Sequence, residues 1–155
     1  MRWLLVAGLL ASLAPRALAA DDAVSGTWDG NYLCGQGDTA LTLTLGPAGP
    51  KGEVSGLFHF NALKKNPGVP EGCFTMTGTY DRQSREVKLT AGRWLLWPWG
   101  YVSVNLEGRV GPDGRRLGGR VIGPFCTSFA LRRTGPAPAV LPEACAGDAT
   151  VAAVR

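Results

Sequence analysis

Leu41-Thr42-Leu43-Thr44-Leu45 alternates apolar and polar side chains without a break, the mark of a strand with one face in a core. The same period of two recurs from residue 27 to residue 133, often around a central glycine. Val54-Ser55-Gly56-Leu57-Phe58, Met76-Thr77-Gly78-Thr79-Tyr80, Asn105-Leu106-Glu107-Gly108-Arg109-Val110 and Leu117-Gly118-Gly119-Arg120-Val121 are its clearest copies. The pattern predicts strands over Thr27–Cys34, Thr39–Leu45, Glu53–Phe60, Cys73–Tyr80, Glu86–Ala91, Tyr101–Val110, Arg115–Ile122 and Cys126–Arg133. Turn-forming runs separate them: Gly46-Pro47-Ala48-Gly49-Pro50, Asp81-Arg82-Gln83-Ser84 and Gly111-Pro112-Asp113-Gly114. Eight short strands with hairpin-length links predict an all-β fold, a small eight-stranded up-and-down barrel of calycin-like form. A β-sandwich of the same strands is the alternative. Closing the sheet removes edges that invite aggregation, and mid-strand glycines allow bends and close backbone approach.

The first nineteen residues follow another rule. Arg2 precedes an apolar run from Trp3 to Leu13, and Ala17-Leu18-Ala19 is a small-x-small cleavage site. Spanning a bilayer takes about 20 apolar residues, and Pro15 and Arg16 interrupt this run too early. Residues 1–19 therefore read as a cleaved signal peptide without a lipid-anchor cysteine, and the chain as periplasmic or secreted, with no stable membrane insertion. About 135 residues remain, the size of one domain. Losing Arg2 and Arg16 lowers the net charge from +4 to +2, and the remaining basic residues are scattered among acids. Nucleic-acid binding would need a clustered basic face, so no nucleic-acid partner is expected. Residues 26–133 form the barrel domain. Residues 134–155, opening on Thr134-Gly135-Pro136-Ala137-Pro138-Ala139, form a Pro/Ala-rich C-terminal tail.

Four cysteines in an exported chain read as disulfides. Cys34 and Cys126 lie in the predicted first and last strands, which an antiparallel barrel places side by side. Cys73 is then left for Cys145, tying the tail to the middle of the domain. No CxxC spacing exists and His59 is the only histidine, so no metal and no cofactor are expected.

Catalytic chemistry finds little support. A nucleophile needs a base beside it, yet His59 alternates with Phe58 and Phe60 in a strand and the cysteines are oxidised. The acids Glu53, Glu71, Asp81, Glu86, Glu107 and Asp113 fall mostly at turns and strand ends rather than as a facing pair. Gly35-Gln36-Gly37-Asp38 has no helix after it to bind phosphate and reads as a hairpin turn. The informative segment is Arg93-Trp94-Leu95-Leu96-Trp97-Pro98-Trp99-Gly100-Tyr101. Pro98 and Gly100 break the strand there, so Trp97, Trp99 and Tyr101 are candidate binding residues on a loop. The competing reading makes Trp94 a barrel plug and Trp97 an end cover, leaving only Trp99 exposed. The link Asn61–Gly72, with Lys64 and Lys65, is a second candidate binding loop beside it.

Gly26-Thr27-Trp28 opening the first strand, with Arg132 or Arg133 closing the last, resembles the start and finish of calycin barrels of the lipocalin and avidin type. That resemblance implies a first-strand tryptophan packed beneath the barrel against a basic side chain of the final strand. A longer match begins with Trp28-x-Gly30-x-Tyr32-x-Cys34-x-Gln36-Gly37, Asn66-Pro67-x-Val69-Pro70-x-Gly72 and Phe74-x-Met76-x-Gly78-x-Tyr80. It continues through Trp94, Pro98, Gly100-Tyr101, Leu106-x-Gly108, Leu117-x-Gly119 and Cys126-x-x-Phe129-x-Leu131. These motifs, covering essentially all of 28–133, resemble an uncharacterised bacterial exported domain that stands alone or follows caspase-like peptidase domains. The resemblance implies a non-catalytic module with a structural Cys34–Cys126 bridge, whereas Cys73 and Cys145 lie outside its pattern. Tyr32-Leu33-Cys34 is also similar to the Tyr-x-Cys opening of small inhibitors of c-type lysozymes.

The functional expectation is an exported, monomeric, non-catalytic binding module that recognises a protein or glycan of the cell envelope through its loops. Alternatives are a periplasmic inhibitor of a hydrolase such as lysozyme, and a binder of a small apolar ligand inside the barrel. An enzyme, as a hydrolase, ranks last.

Overall fold

The computed structural model describes residues 23–146. The expected signal peptide (residues 1–19) and the last part of the expected tail lie outside the described residues. Eight strands follow one another: β1 (Gly26–Cys34), β2 (Gly37–Leu45), β3 (Glu53–Asn61), β4 (Gly72–Tyr80), β5 (Glu86–Leu96), β6 (Asn105–Val110), β7 (Arg116–Ile122) and β8 (Ser128–Gly135). Each pairs antiparallel with the next, and β8 returns to β1, closing the barrel. The closing seam sets Trp28 opposite Arg133 and Tyr32 opposite Phe129. The up-and-down barrel is therefore the fold, and the sandwich is not.

Alternation along the strands builds the interior. In β2, Thr39, Leu41, Leu43 and Leu45 are buried while the residues between them reach the surface. Trp28, Phe58, Phe60, Phe74, Met76, Leu89, Leu106 and Leu117 fill the rest. Each such side chain contributes roughly 1.5–3 kcal/mol on leaving water. Some mid-strand glycines keep neighbouring backbones close. A Cβ at Gly78 would stand 1.8 Å from the Lys88 carbonyl oxygen, and one at Gly119 would stand 2.1 Å from that of Glu107.

Several element boundaries shift by a residue or two from the sequence reading, β8 running on to Gly135, and three differences bear on the site. β5 runs on from Ala91 to Leu96, because β4 continues to pair with it through register shifts near Phe74. β6 begins at Asn105 rather than Tyr101, so residues 101–104 belong to a loop. Cys126 precedes β8 instead of lying in it. The first two shifts have one structural setting. β5 and β6 pair only between Glu86–Leu89 and Leu106–Arg109, and just beyond, the Ala91 N–H donates to Asn105 Oδ1 at 2.9 Å. The two strands then diverge. The wedge between them admits the β5–β6 loop, which turns Tyr101 and Val104 toward the core.

One end of the barrel is sealed. Trp28 is fully buried, and its Nε1 donates to the Val24 carbonyl at 2.9 Å. The Arg133 guanidinium lies 4.4 Å from the centre of the Trp28 ring and donates to the backbone oxygens of Ala23, Ser25 and Gly114. Of the two arginines considered for this place, Arg133 takes it. Outside the wall, a short 3-10 turn (Glu143–Cys145) is held by the Cys73–Cys145 disulfide, and Cys145 buries there with Leu57 and Cys73, against Leu95 and Leu96.

Candidate functional site at the open end

In an up-and-down barrel the β1–β2, β3–β4, β5–β6 and β7–β8 links share one end, opposite the Trp28 seal. That end holds a pocket of about 260 Å³. Tyr32, Phe58, Phe60 and Phe74 line it from the strands, and Tyr101, Val102, Val104, Pro124 and Phe125 from the loops. The rings interlock. Phe58 stacks on Phe74 at 4.6 Å and meets the edge of Tyr32 at 5.2 Å, while Phe60 stacks on Tyr101 at 5.6 Å. The Cys34–Cys126 disulfide also borders the pocket, joining the end of β1 to the β7–β8 loop.

Apolar side chains left in water surround this mouth. Trp99 is 92% exposed, Phe125 89%, Trp97 61% and Val102 60%. Local chain geometry holds them out. Pro98 and a left-handed Gly100 (φ 81°) turn the β5–β6 loop, and the Trp97 Nε1 donates across it to the Tyr101 carbonyl at 2.8 Å. Phe125 itself sits at φ 58°, a conformation uncommon for a residue with a side chain. It is bracketed by the Cys126 bridge and by the Thr127 N–H, which donates to the Leu33 carbonyl at 2.9 Å.

Polar groups at the site are few. Gln36 Nε2 donates to the Tyr32 hydroxyl at 3.0 Å and to Thr39 Oγ1 at 3.3 Å. Burial, reinforced by nearby Tyr101, pushes the Tyr32 phenol well above the ordinary tyrosine range, so it stays protonated. Asn66 in the β3–β4 loop donates to the Gln36 and Asp38 carbonyls at 2.9 Å, tying that loop to the β1–β2 turn.

The structure separates the expected site residues into groups. Trp97, Trp99 and Tyr101 gather in the β5–β6 loop, and both Trp97 and Trp99 face solvent, whereas Tyr101 turns inward over Phe60. Trp94 packs inward on Phe74 at 4.8 Å. Lys64 and Lys65 are exposed in the β3–β4 loop at the same end. Lys65 forms an ion pair with Asp38, and this contact, with a hydrogen bond from Asn31, holds the Asp38 carboxyl below its ordinary range. The start of β4, just after the β3–β4 loop, lies against the β5–β6 loop: a Cβ at Gly72 would meet both Phe60 and Pro98. Cys34, Cys126, Cys73 and Cys145 are all disulfide-bonded. His59 lies on the outer wall, its Nε2 2.7 Å from Glu71 Oε1, away from the pocket. Among the described residues, no three of His, Cys, Asp and Glu are grouped to hold a metal ion.

Sequence reading missed Phe125 and Val102 at the rim and Gln36 inside it. Gly123-Pro124 before Phe125 was the available signal, since a Gly-Pro turn ahead of a bridged cysteine lifts the intervening residue out of the strand. No family model, curated protein or solved structure matches this chain.

Proposed function

We propose that this chain is an exported, non-catalytic binding module whose working face is the open end of the barrel. The contrast between the two ends carries the reading. Arg133 and Trp28 close one end, while the other leaves Trp97, Trp99, Val102 and Phe125 in water around a ring-lined pocket. Exposed apolar clusters of this kind mark interaction sites, and aromatic rings anchor partners at little entropic cost. Two disulfides support an oxidising, extracytoplasmic setting. Binding rather than catalysis is supported by the fate of the reactive groups: every cysteine is bridged, and His59 is engaged with Glu71 on the outer wall. The partner is a protein or glycan of the cell envelope.

The test is capture from an envelope extract by the immobilised mature chain, by Trp99→Ala with Phe125→Ala, and by Asp113→Ala in the turn at the sealed end. Capture should survive Asp113→Ala and be lost in the rim variant. Equal loss in both, or retention by the rim variant, would remove the open end from consideration. A hydrolase held one-to-one and silenced would recast the module as an inhibitor.

A further inference from the structure

We infer that the open-end pocket takes one neutral aromatic ring, or at most two fused rings, carrying a hydrogen-bond acceptor. The inference deepens the binding-module reading and rests on it for the choice of face. Size sets the first limit. An apolar cavity of about 150 Å³ accepts a benzene, so the 260 Å³ here holds one ring with a substituent or two fused rings. It falls short of the roughly 300–1,000 Å³ that drug-sized ligands occupy.

The walls set the second limit. Phe58, Phe74, Phe60 and Tyr101 present faces and edges of rings, which favour another ring in offset or edge-on contact. No charged side chain lines the pocket, so a carboxylate would enter it without a counter-charge. An ammonium would meet ring faces, but it only donates and offers the Tyr32 hydroxyl no acceptor, so the ligand is neutral.

The polar pair sets the third. Gln36 uses the Tyr32 oxygen as an acceptor, which leaves the phenol's own proton to be shared between neighbouring Thr39 and a guest. Burial keeps that proton in place. A hydroxyl that can turn from Thr39 toward an otherwise apolar space favours a guest that brings a carbonyl, ether or hydroxyl oxygen. The same chemistry could arrive as a free small molecule or as a tyrosine side chain of a polypeptide. The exposed rim tells the two apart, because Trp99, unlike Phe125, lies outside the pocket lining and is covered only by a guest larger than the pocket.

The experiment is an NMR titration of the mature chain with acetophenone, with ethylbenzene, which matches its shape without the acceptor, and with a pentapeptide bearing a central tyrosine. Acetophenone should shift the Val102 and Val104 methyls and the Gln36 amide saturably, leaving the Trp28 indole at the sealed end unmoved. Tyr32→Phe should weaken acetophenone about fivefold, the size of one net hydrogen bond, and leave ethylbenzene unchanged. Tighter binding of the peptide than of acetophenone, reduced by Trp99→Ala, would support a polypeptide source. Equal or weaker peptide binding with saturable acetophenone would support a free ligand. Absence of saturable shifts at Val102 and Val104 for every probe would overturn the inference, as would equal weakening of both small probes in Tyr32→Phe. Ring binding without rim-dependent capture would sink the partner reading and spare the pocket. Rim-dependent capture without ring binding would do the reverse.

Discussion

Trp28→Ala should be among the most damaging single substitutions in the chain, by an amount the sealed end allows to be worked out. Truncating a buried tryptophan costs roughly 3–5 kcal/mol. The indole N–H bond to the Val24 carbonyl adds about 1 kcal/mol. The stack under Arg133 adds up to about 2 kcal/mol where water is excluded. These losses share atoms and do not sum, so we expect about 5 kcal/mol, a large part of a domain's 5–15 kcal/mol. At about 4 °C per kcal/mol for a domain of this size, the melting temperature falls by roughly 20 °C. For the case in which the alanine variant does not fold, Trp28→Phe gives the graded test. It keeps a ring for Arg133 but loses the N–H, and should fall by about 2 kcal/mol, or roughly 8 °C. Trp99→Ala, whose ring is 92% exposed, should melt within about 2 °C of wild type. Far-UV circular dichroism melts of the three variants decide the matter. If Trp28→Phe and Trp99→Ala melted together, the Arg133–Trp28 seal would not be a determinant of stability.

Replacing Cys34 and Cys126 together by alanine removes a cross-link between positions 92 apart, which should cost about 4–5 kcal/mol in the chain-entropy account; a urea midpoint almost unchanged would show that the hydrogen-bonded β1–β8 seam alone suffices. Gly78→Ala drives a methyl into the Lys88 carbonyl and should lose roughly 1–3 kcal/mol, whereas Gly68→Ala, with open space around it, should be neutral or slightly stabilising in the same urea titrations. Tyr32 has a raised folded-state pKa, so its contribution is complete below the unfolded value of about 10 and fades as pH rises beyond it. Tyr32→Phe should therefore flatten the alkaline limb of the stability curve above about pH 10; an unchanged limb would mean that the phenol ionises as easily folded as unfolded.

How far the fold could be read in advance depended on whether a signal was local. Leu41 to Leu45 alternate because each alternate side chain enters the core, and β2 was legible residue by residue. Trp94-Leu95-Leu96 does not alternate, and its strand character comes from β4 and the register shift at Phe74, which no local window contains. Val102 and Val104 imitate a strand, yet no β5 partner remains once the two strands diverge beyond Asn105. The site divides in the same way. Pro98 and Gly100 announced an aromatic loop, but alternation marks Tyr32, Phe58, Phe60 and Phe74 only as inward-facing. That they surround a hollow depends on how the β5–β6 and β7–β8 loops come together over them, which no strand pattern states. The choice of Arg133 over Arg132 likewise required the register of the closing seam, which sets Arg133 opposite Trp28.

That seam has a consequence for chain order. The Thr27 hydroxyl donates to the Pro136 carbonyl at 2.8 Å, and that of Thr134 to Asp29 Oδ2 at 2.6 Å, so the start of β1 and the end of β8 lie within a hydrogen bond of each other. A direct bridge would drop Val24, which accepts from the Trp28 indole, and Cys145, which is bridged to Cys73, so a glycine–serine linker has to run from Ala146 along the wall to Ala23, and the chain could be opened instead at the exposed Asp81–Ser84 turn. Surface ends that a linker can span and an exposed turn are the conditions under which circular permutation succeeds. The barrel is a ring of eight hairpin partners, and biosynthesis cuts that ring at only one of several equivalent places. A permutant beginning at β5 would present the same pocket, with the aromatic loop synthesised first rather than after half the barrel.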